Sequence, residues 1–283
     1  MGTMKPKVIV CMLAYNHGKF ISEAIESVFE QKADFNYKIL ICNDASTDNT
    51  KDIIEKYRDI YGDKIIAVHN KKNLGITNNA KKLYSLAIES GAEYIATLEG
   101  DDYWMDANKL QLQVDRMDNN LDLVLTCGNF LEYDDESDKF SASQIEVLKT
   151  NTWEKLDDKS ILINWRTKYL TYLIRTNELK KTKFLKYRYL LDYHLVYDLN
   201  KLGSLELYKG IFGVYRRHIN GNFGKEFDLV KIKIELKIYK SLLKLNPGDE
   251  FLWMKYIKTA KSIGKVEFFK SRVEDKLKRI IFL

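Results

Sequence analysis

Several protein classes are closed to this chain by what it has little of. No apolar run approaches the roughly 20 residues of a membrane-spanning helix, and the N-terminus lacks the basic and apolar regions of a secretory signal. The expectation is a cytoplasmic protein. Cysteine is scarce: Cys11, Cys42 and Cys127 are odd in number, widely spaced and each set in an apolar run. That pattern predicts buried, reduced thiols in place of a disulfide framework or a zinc site. Only two prolines occur in 283 residues, and no low-complexity linker or internal repeat breaks the chain. Hydrophobic residues at 45% and charged residues at 30% are those of a folded chain with ample core, not a disordered one.

The net charge of +6 is unevenly placed. Residues 225–283 hold 15 Lys and Arg against 8 Asp and Glu, which leaves residues 1–224 one charge negative. The chain therefore divides into a nearly neutral unit, 1–224, and a basic extension, 225–283, that reads as helical. A basic helical tail can meet an anionic membrane surface, nucleic acid or only water.

What is present is a repeated cycle of apolar strand, polar loop and amphipathic helix. Lys7 to Leu13 (K-V-I-V-C-M-L), Lys38 to Cys42, Ile65 to Val68 and Tyr94 to Leu98 are short apolar, β-rich runs. Between them, Ile21, Ile25, Val28 and Phe29, then Ile53, Ile54 and Tyr57, then Ala80, Leu83, Tyr84 and Ala87 recur at helical spacing. Four such cycles predict a mostly parallel sheet flanked by helices, with the loops at the strands' carboxyl ends lining one edge. Those loops carry Asn16 and His17, then Asn43, Asp44, Ser46 and Asp48, then Asn70, Lys72, Asn73, Asn78 and Asn79. Open α/β sheets bind their ligands there.

The fourth strand ends in L-E-G-D-D-Y-W, which places Glu99, Asp101 and Asp102 around Gly100. An acidic pair in a turn is ordinarily a solvated turn, but its position at the end of a buried strand favours a cation site. Hard divalent ions such as Mg²⁺ take one or two carboxylates and fill the remaining positions with phosphate oxygens and water. Farther along, Lys109 to Met117 reads as a helix and Leu121 to Cys127 as a strand. Glu132 to Lys139 reads as a solvated loop and Tyr169 to Arg175 as a strand. Tyr189 to Leu202 is helical with Asp192 near its start, and Leu205 to Tyr208 and Gly213 to Tyr215 are short strands followed by Arg216, Arg217 and His218. The tail carries two apolar stripes, Ile232, Leu236, Tyr239, Leu242 and Leu243, then Leu277, Ile280, Ile281 and Phe282.

In this order the pieces resemble family 2 of the inverting nucleotide-sugar glycosyltransferases, in the bacterial branch that builds surface polysaccharides, on the fold called GT-A. V-I-V-C-M-L-A-Y-N-H resembles the family's first strand, I-C-N-D-A-S-T-D-N-T its V-D-D-x-S-x-D-x-T, and K-N-L-G-I-T-N-N its N-x-G-x-x-x-N loop. L-E-G-D-D-Y-W resembles its acidic motif and Y-R-R-H its later Y-R-x-H, so the likeness covers roughly residues 7–222. Glu99 stands where the usual motif has Asp, and Asn43 replaces the first of two aspartates.

The resemblance implies a UDP-sugar donor, Mn²⁺ or Mg²⁺, and a glycan or lipid-linked acceptor. It assigns Ala14, Tyr15, Asn16, Asp44, Lys72, Asn79, Glu99, Gly100 and Asp101 to the donor nucleotide, and Arg216, Arg217 and His218 to the diphosphate. Asp101, Asp102 and His218 fall to the metal, and Asp192 to the general base. For the tail, packing on the catalytic unit or on the second subunit of a homodimer and contact with the inner face of the cell membrane all remain open. A sugar-phosphate nucleotidyltransferase would need a Gly-rich basic loop after the first strand, and A-Y-N-H-G-K-F is not one. A nucleic-acid module is disfavoured by acids at the loop edge, which would repel phosphodiester.

Overall fold

A computed structural model describes residues 5–140, 151–157, 161, 167–218 and 228–262 of the chain. The four cycles take the expected form: β1 (Val8–Ala14), α1 (Ile21–Phe29), β2 (Tyr37–Asn43), α2 (Thr50–Tyr61), β3 (Ile65–His69), α3 (Gly75–Glu89) and β4 (Tyr94–Glu99). The apolar runs are continuous because the sheet is covered on both faces. Along β1, Ile9 and Cys11 pack with Ala80, Leu83, Tyr84 and Ala87 of α3, while Val8, Val10 and Met12 pack with Ile21, Ile25 and Val28 of α1. Each such aliphatic side chain contributes about 1.5–3 kcal/mol by leaving water. The three cysteines are free and buried, and burial pushes the Cys42 thiol up to about 12, so it stays protonated.

Four parallel strands lie in the order β3, β2, β1, β4, so the connections leave β1 in opposite directions. This reversal opens a crevice at the carboxyl ends of β1 and β4. The strand ends are level there: Ala14 lies opposite Asn43, and Leu13 opposite Glu99.

The second half departs from the sequence reading. After β5 (Tyr103–Trp104) and α4 (Lys109–Asp118), one long strand, β6 (Leu123–Asp134), replaces the expected short one. The segment expected as a solvated loop at 132–139 is a hairpin to β7 (Lys139–Phe140). Asp134 Oδ1 accepts from the Glu136 and Ser137 backbone N–H groups and closes its turn, so this acid builds the turn and does not merely solvate it. The two short strands expected at 205–215 are one strand, β10 (Ser204–Arg217), parallel to β6 and paired antiparallel with β8 (Trp153–Lys155). Its register shifts between Tyr208 and Ile211 and again before Gly213, which interrupts the alternation that would have marked it as continuous.

Of the strand expected from Tyr169, only β9 (Leu173–Arg175) forms, antiparallel between β4 and β6. Tyr169–Thr171 is a 3₁₀ turn, because Trp104 Nε1 and Gln113 Nε2 donate to the Leu170 and Thr171 carbonyls that a strand neighbour would otherwise take. Then come α5 (Thr176–Lys181) and α6 (Asp192–Asn200).

In the tail, α7 (Asp228–Leu245) and a helix whose described part is 250–262, α8, flank the N-P-G turn. Ile238, Tyr239, Leu242, Leu243 and Leu252 join the same buried cluster as Tyr193 and Leu195 of α6. Ile232 and Leu236 of the first stripe are half-buried, and the second stripe lies outside the described residues. Among the described residues, no helix is long and apolar enough to cross a membrane.

Candidate active site

The acidic turn after β4 is held from three sides. Gly100 donates its N–H to Leu13 O, and a Cβ there would meet the Ile21 side chain at 2.6 Å and His17 Nδ1 at 2.8 Å. Only glycine fits between the turn and the β1 loop. Immediately after the turn, β5 pairs with β10, Tyr103 opposite Val214, which brings the end of β10 over the acids. Arg216 then donates its backbone N–H to Asp102 Oδ1 at 2.8 Å and its guanidinium to Asp101 O at 3.0 Å.

The three acids consequently differ. Asp101 faces open space, with His218 Nε2 at 3.1 Å and His17 Nε2 at 3.7 Å from Oδ2. Burial works against its charge, but the His17 and His218 rings outweigh it and hold the carboxyl below the usual range. Glu99 is pushed up to about 8, first by burial and then by Asp101, with Lys168 opposing. Asp102 is only 1% exposed, and burial followed by Asp101 and Glu99 pushes its carboxyl well up. Its Oδ2 meets no N–H or hydroxyl donor among the described residues. A side-chain hydrogen bond joins Glu99 to Asp102, and two adjacent carboxyls hydrogen bond only when one keeps its proton.

Two clefts meet on this turn. The first, about 870 Å³ with its mouth, is lined by Ala14, Tyr15, Asp44, Asn73, Gly75 and Asn79 and reaches Glu99 and Asp101. The second, about 830 Å³, shares Leu13, Ile76, Glu99 and Asp101 and continues past Lys168, Tyr215 and Leu190 to Asp192. Tyr15 is exposed at the mouth of the first.

The expected donor residues fall into two groups. Ala14, Tyr15, Asp44, Asn79, Glu99 and Asp101 line the first cleft. Asp44 is nonetheless occupied: it accepts from Asn70 Nδ2 and from the Leu74 and Gly75 N–H groups, Gly75 taking a positive φ of 76° to reach it. Asn79 bridges Asn70 and Cys42 O. Asn16 is turned from the cleft, its Oδ1 accepting from Thr47 N–H, and ties the first loop to the second. Lys72 is exposed and lines neither cleft.

At the end of β10 the side chains alternate. His218 lies on Asp101, Arg216 is 7% exposed and ion-paired to Glu23 at 2.5 Å, and Arg217 points to Glu132 at 3.7 Å.

Asp192 opens α6, and its Oδ1 accepts from Tyr193 N–H. Burial pushes its carboxyl up, with Lys168 opposing. Lys168 was not singled out in the sequence; its Nζ sits 3.2 Å over the Tyr215 ring, facing a cleft whose acids come from β4 and α6. His194 was missed as well. It is fully buried, and its Nδ1 accepts from Leu191 N–H, bracing the turn that carries Asp192. Burial lowers its ring to about 4.

Among the described residues, no three His, Cys, Asp or Glu side chains are disposed to enclose a metal by themselves. The donor set nevertheless fits a hard divalent cation that completes its shell with phosphate and water. Asp101 supplies an ionised carboxylate at the open edge of both clefts, with an imidazole beside it.

A family profile described as "Glycosyl transferase family 2" matches residues 9–187. An Escherichia coli relative, "UDP-Glc:alpha-D-GlcNAc-diphosphoundecaprenol beta-1,3-glucosyltransferase WfaP", is 36% identical over 114 residues, 39% of this chain and 41% of that one. The chain spans 31% to 45% of the length of the curated relatives it matches. Among solved structures, S. aureus TarS 1-349 in complex with UDP-GlcNAc superposes with a TM-score of 0.61 at 19% identity, covering 84% of this chain and 66% of that one. The mannosyltransferase PcManGT from Pyrobaculum calidifontis, in complex with GDP-Man and Mn²⁺, gives 0.53 at 12% identity over 85% and 63%. The fold is GT-A.

Proposed function

The chain belongs to glycosyl transferase family 2, and from that premise we propose that it moves a sugar from a UDP-sugar to an acceptor hydroxyl with inversion at the anomeric carbon. The observation that carries this reading is the meeting of two clefts on one acidic turn, one suited to a nucleotide and the other ending at Asp192. The UDP portion of relatives' donors supports the choice of nucleotide.

In the first cleft, Tyr15 offers a ring face to the base, and Asp44 Oδ2 retains acceptor capacity for its imide N–H. Asp101 and His218 would hold Mn²⁺ or Mg²⁺, which when bound supplies positive charge to the departing diphosphate. Asp102, Arg216 and Gly100 shape the turn that presents Asp101. In the second cleft, Asp192 accepts the acceptor's hydroxyl proton as the new bond to the anomeric carbon forms and the bond to the diphosphate oxygen breaks on the opposite face. A buried carboxylate with a raised pKa is the stronger base for this transfer. The acceptor is a hydroxyl of a glycan or lipid-linked sugar, as for the E. coli relative.

UDP release from UDP-sugars in the presence of acceptor tests the assignment. Asp192→Asn should lower turnover by about 10²–10⁴-fold, the range for a lost general base, while UDP binding by calorimetry is unchanged. Normal turnover in that variant would refute the role of Asp192.

A further inference from the structure

Outside the two clefts, a third groove lies between the segment leading into α6 and the outer face of α7. It encloses about 1110 Å³ with its mouth and is lined by Lys186, Tyr187, Arg188, Tyr189, Lys237, Lys240, Ser241, Lys244 and Leu245. Five of these are cations, two on one wall and three on the other. All five are exposed, and none has an ion-pair partner among the described residues. Residues 237, 240, 241 and 244 share one helical stripe. Ser241 Oγ donates to Tyr189 O at 3.1 Å, and Asn246 Nδ2 donates to Tyr187 Oη, so the two walls are fixed relative to each other.

Five cationic side chains border this concavity, their stems supplying much of its wall, and a compact polyanion seated between the walls would draw their charged ends toward it. A flat bilayer would neutralise cations on a convex face, whereas these line opposite walls. The segment also continues directly into the acceptor cleft, since Leu190 and Asp192 line that cleft and Tyr189 lines the groove. Tyr189 and Asp192 are three residues apart, so their Cα atoms are separated by at most about 11 Å.

We propose that this groove binds a phosphate or diphosphate group carried by the acceptor, so that the sugar whose hydroxyl reaches Asp192 is a phosphorylated one. This rests on the glycosyltransferase reading for its meaning but not for its test. The positioning it supplies is charge-assisted and falls with salt.

Inorganic pyrophosphate is titrated calorimetrically into the full chain in EDTA, which removes the divalent ions that would draw it to Asp101. The wild type binds, and Lys237→Ala/Lys240→Ala/Lys244→Ala weakens binding at least about tenfold, as expected for several lost exposed charge contacts. Alanine suits an exposed helix face, so folding is preserved. Lys186→Ala/Arg188→Ala, on the opposite wall, produces the same loss. Equal pyrophosphate affinity in wild type and variants, or none in the wild type, overturns the proposal. Sedimentation with phosphatidylglycerol but not phosphatidylcholine vesicles that drops in the variants, with pyrophosphate binding unaltered, assigns the groove to a bilayer and overturns it too. UDP with Mn²⁺, measured on the same proteins freed of EDTA, should bind all alike; its failure everywhere would sink the donor site and leave the groove's result standing.

Discussion

Lys168 and Gly100 each act on the acids around them, one by charge and the other by having no side chain. Lys168 opposes the burial that raises Asp192. A base is active only when ionised, so activity should rise with pH through a pKa above the ordinary aspartate value. Removing the lysine should move that rise higher still. Lys168→Met is therefore expected to shift the acidic limb of the kcat profile to higher pH; an unmoved limb would separate Lys168 from Asp192. Gly100→Ala should cost about 1–3 kcal/mol of stability, because the added Cβ overpacks against the buried Ile21 side chain, the His17 ring and the Leu13 carbonyl, and thermal denaturation reads it directly. The acids stood out in the sequence not as an acidic turn, which is ordinarily solvated, but because they follow a buried apolar run, where open sheets bind ligands. Lys168 did not stand out, since a lone lysine in T-K-Y-L resembles any solvated one. Arg217 was grouped with Arg216 and His218 because the strand was read as ending at Tyr215. Once the strand continues, adjacent side chains must point to opposite faces.

At the level of the element, α6 matters most, because its first residue is Asp192 and its entry is braced by His194. A histidine lowered to about 4 is neutral in the fold and charges more readily when unfolded. Its folded pKa lies below the unfolded value near 6.5, so its contribution is fully present above about pH 6.5 and is lost as pH falls toward 4. His194→Asn, whose oxygen can accept from Leu191 N–H, lacks this titration. The wild type should thus lose more thermal stability than His194→Asn between pH 7 and 5, and parallel losses would contradict the assignment. The first four strands were readable since each cycle is local in sequence. β9 and the β6–β10 pairing were not, because antiparallel insertion and bulged register depend on partners 50–100 residues away, such as Ile174 with Ile95 and Leu205 with Leu125.

Across the whole molecule, the sheet's reversal at β1 places a cleft lined by Tyr15 and Asp44 and a cleft that ends at Asp192 on either side of one turn. The tail helices, which the sequence allowed to pack on the catalytic unit, on a second subunit or on a membrane, are packed where described into the core behind α6. Their apolar stripe was visible in the sequence, but which surface it would cover was not, because helical periodicity carries no information about a partner. The claim on which the account turns is that Asp101 grips a divalent ion through which a nucleoside diphosphate is held. Calorimetric titration of UDP into wild type and Asp101→Asn, each with Mn²⁺ and with EDTA, tests it most directly. Mn²⁺ should strengthen UDP binding by the wild type at least about tenfold over EDTA, and Asp101→Asn should lose that gain, in keeping with loss of a charged ligand. Equal UDP affinity with and without metal, or in wild type and variant, would contradict it.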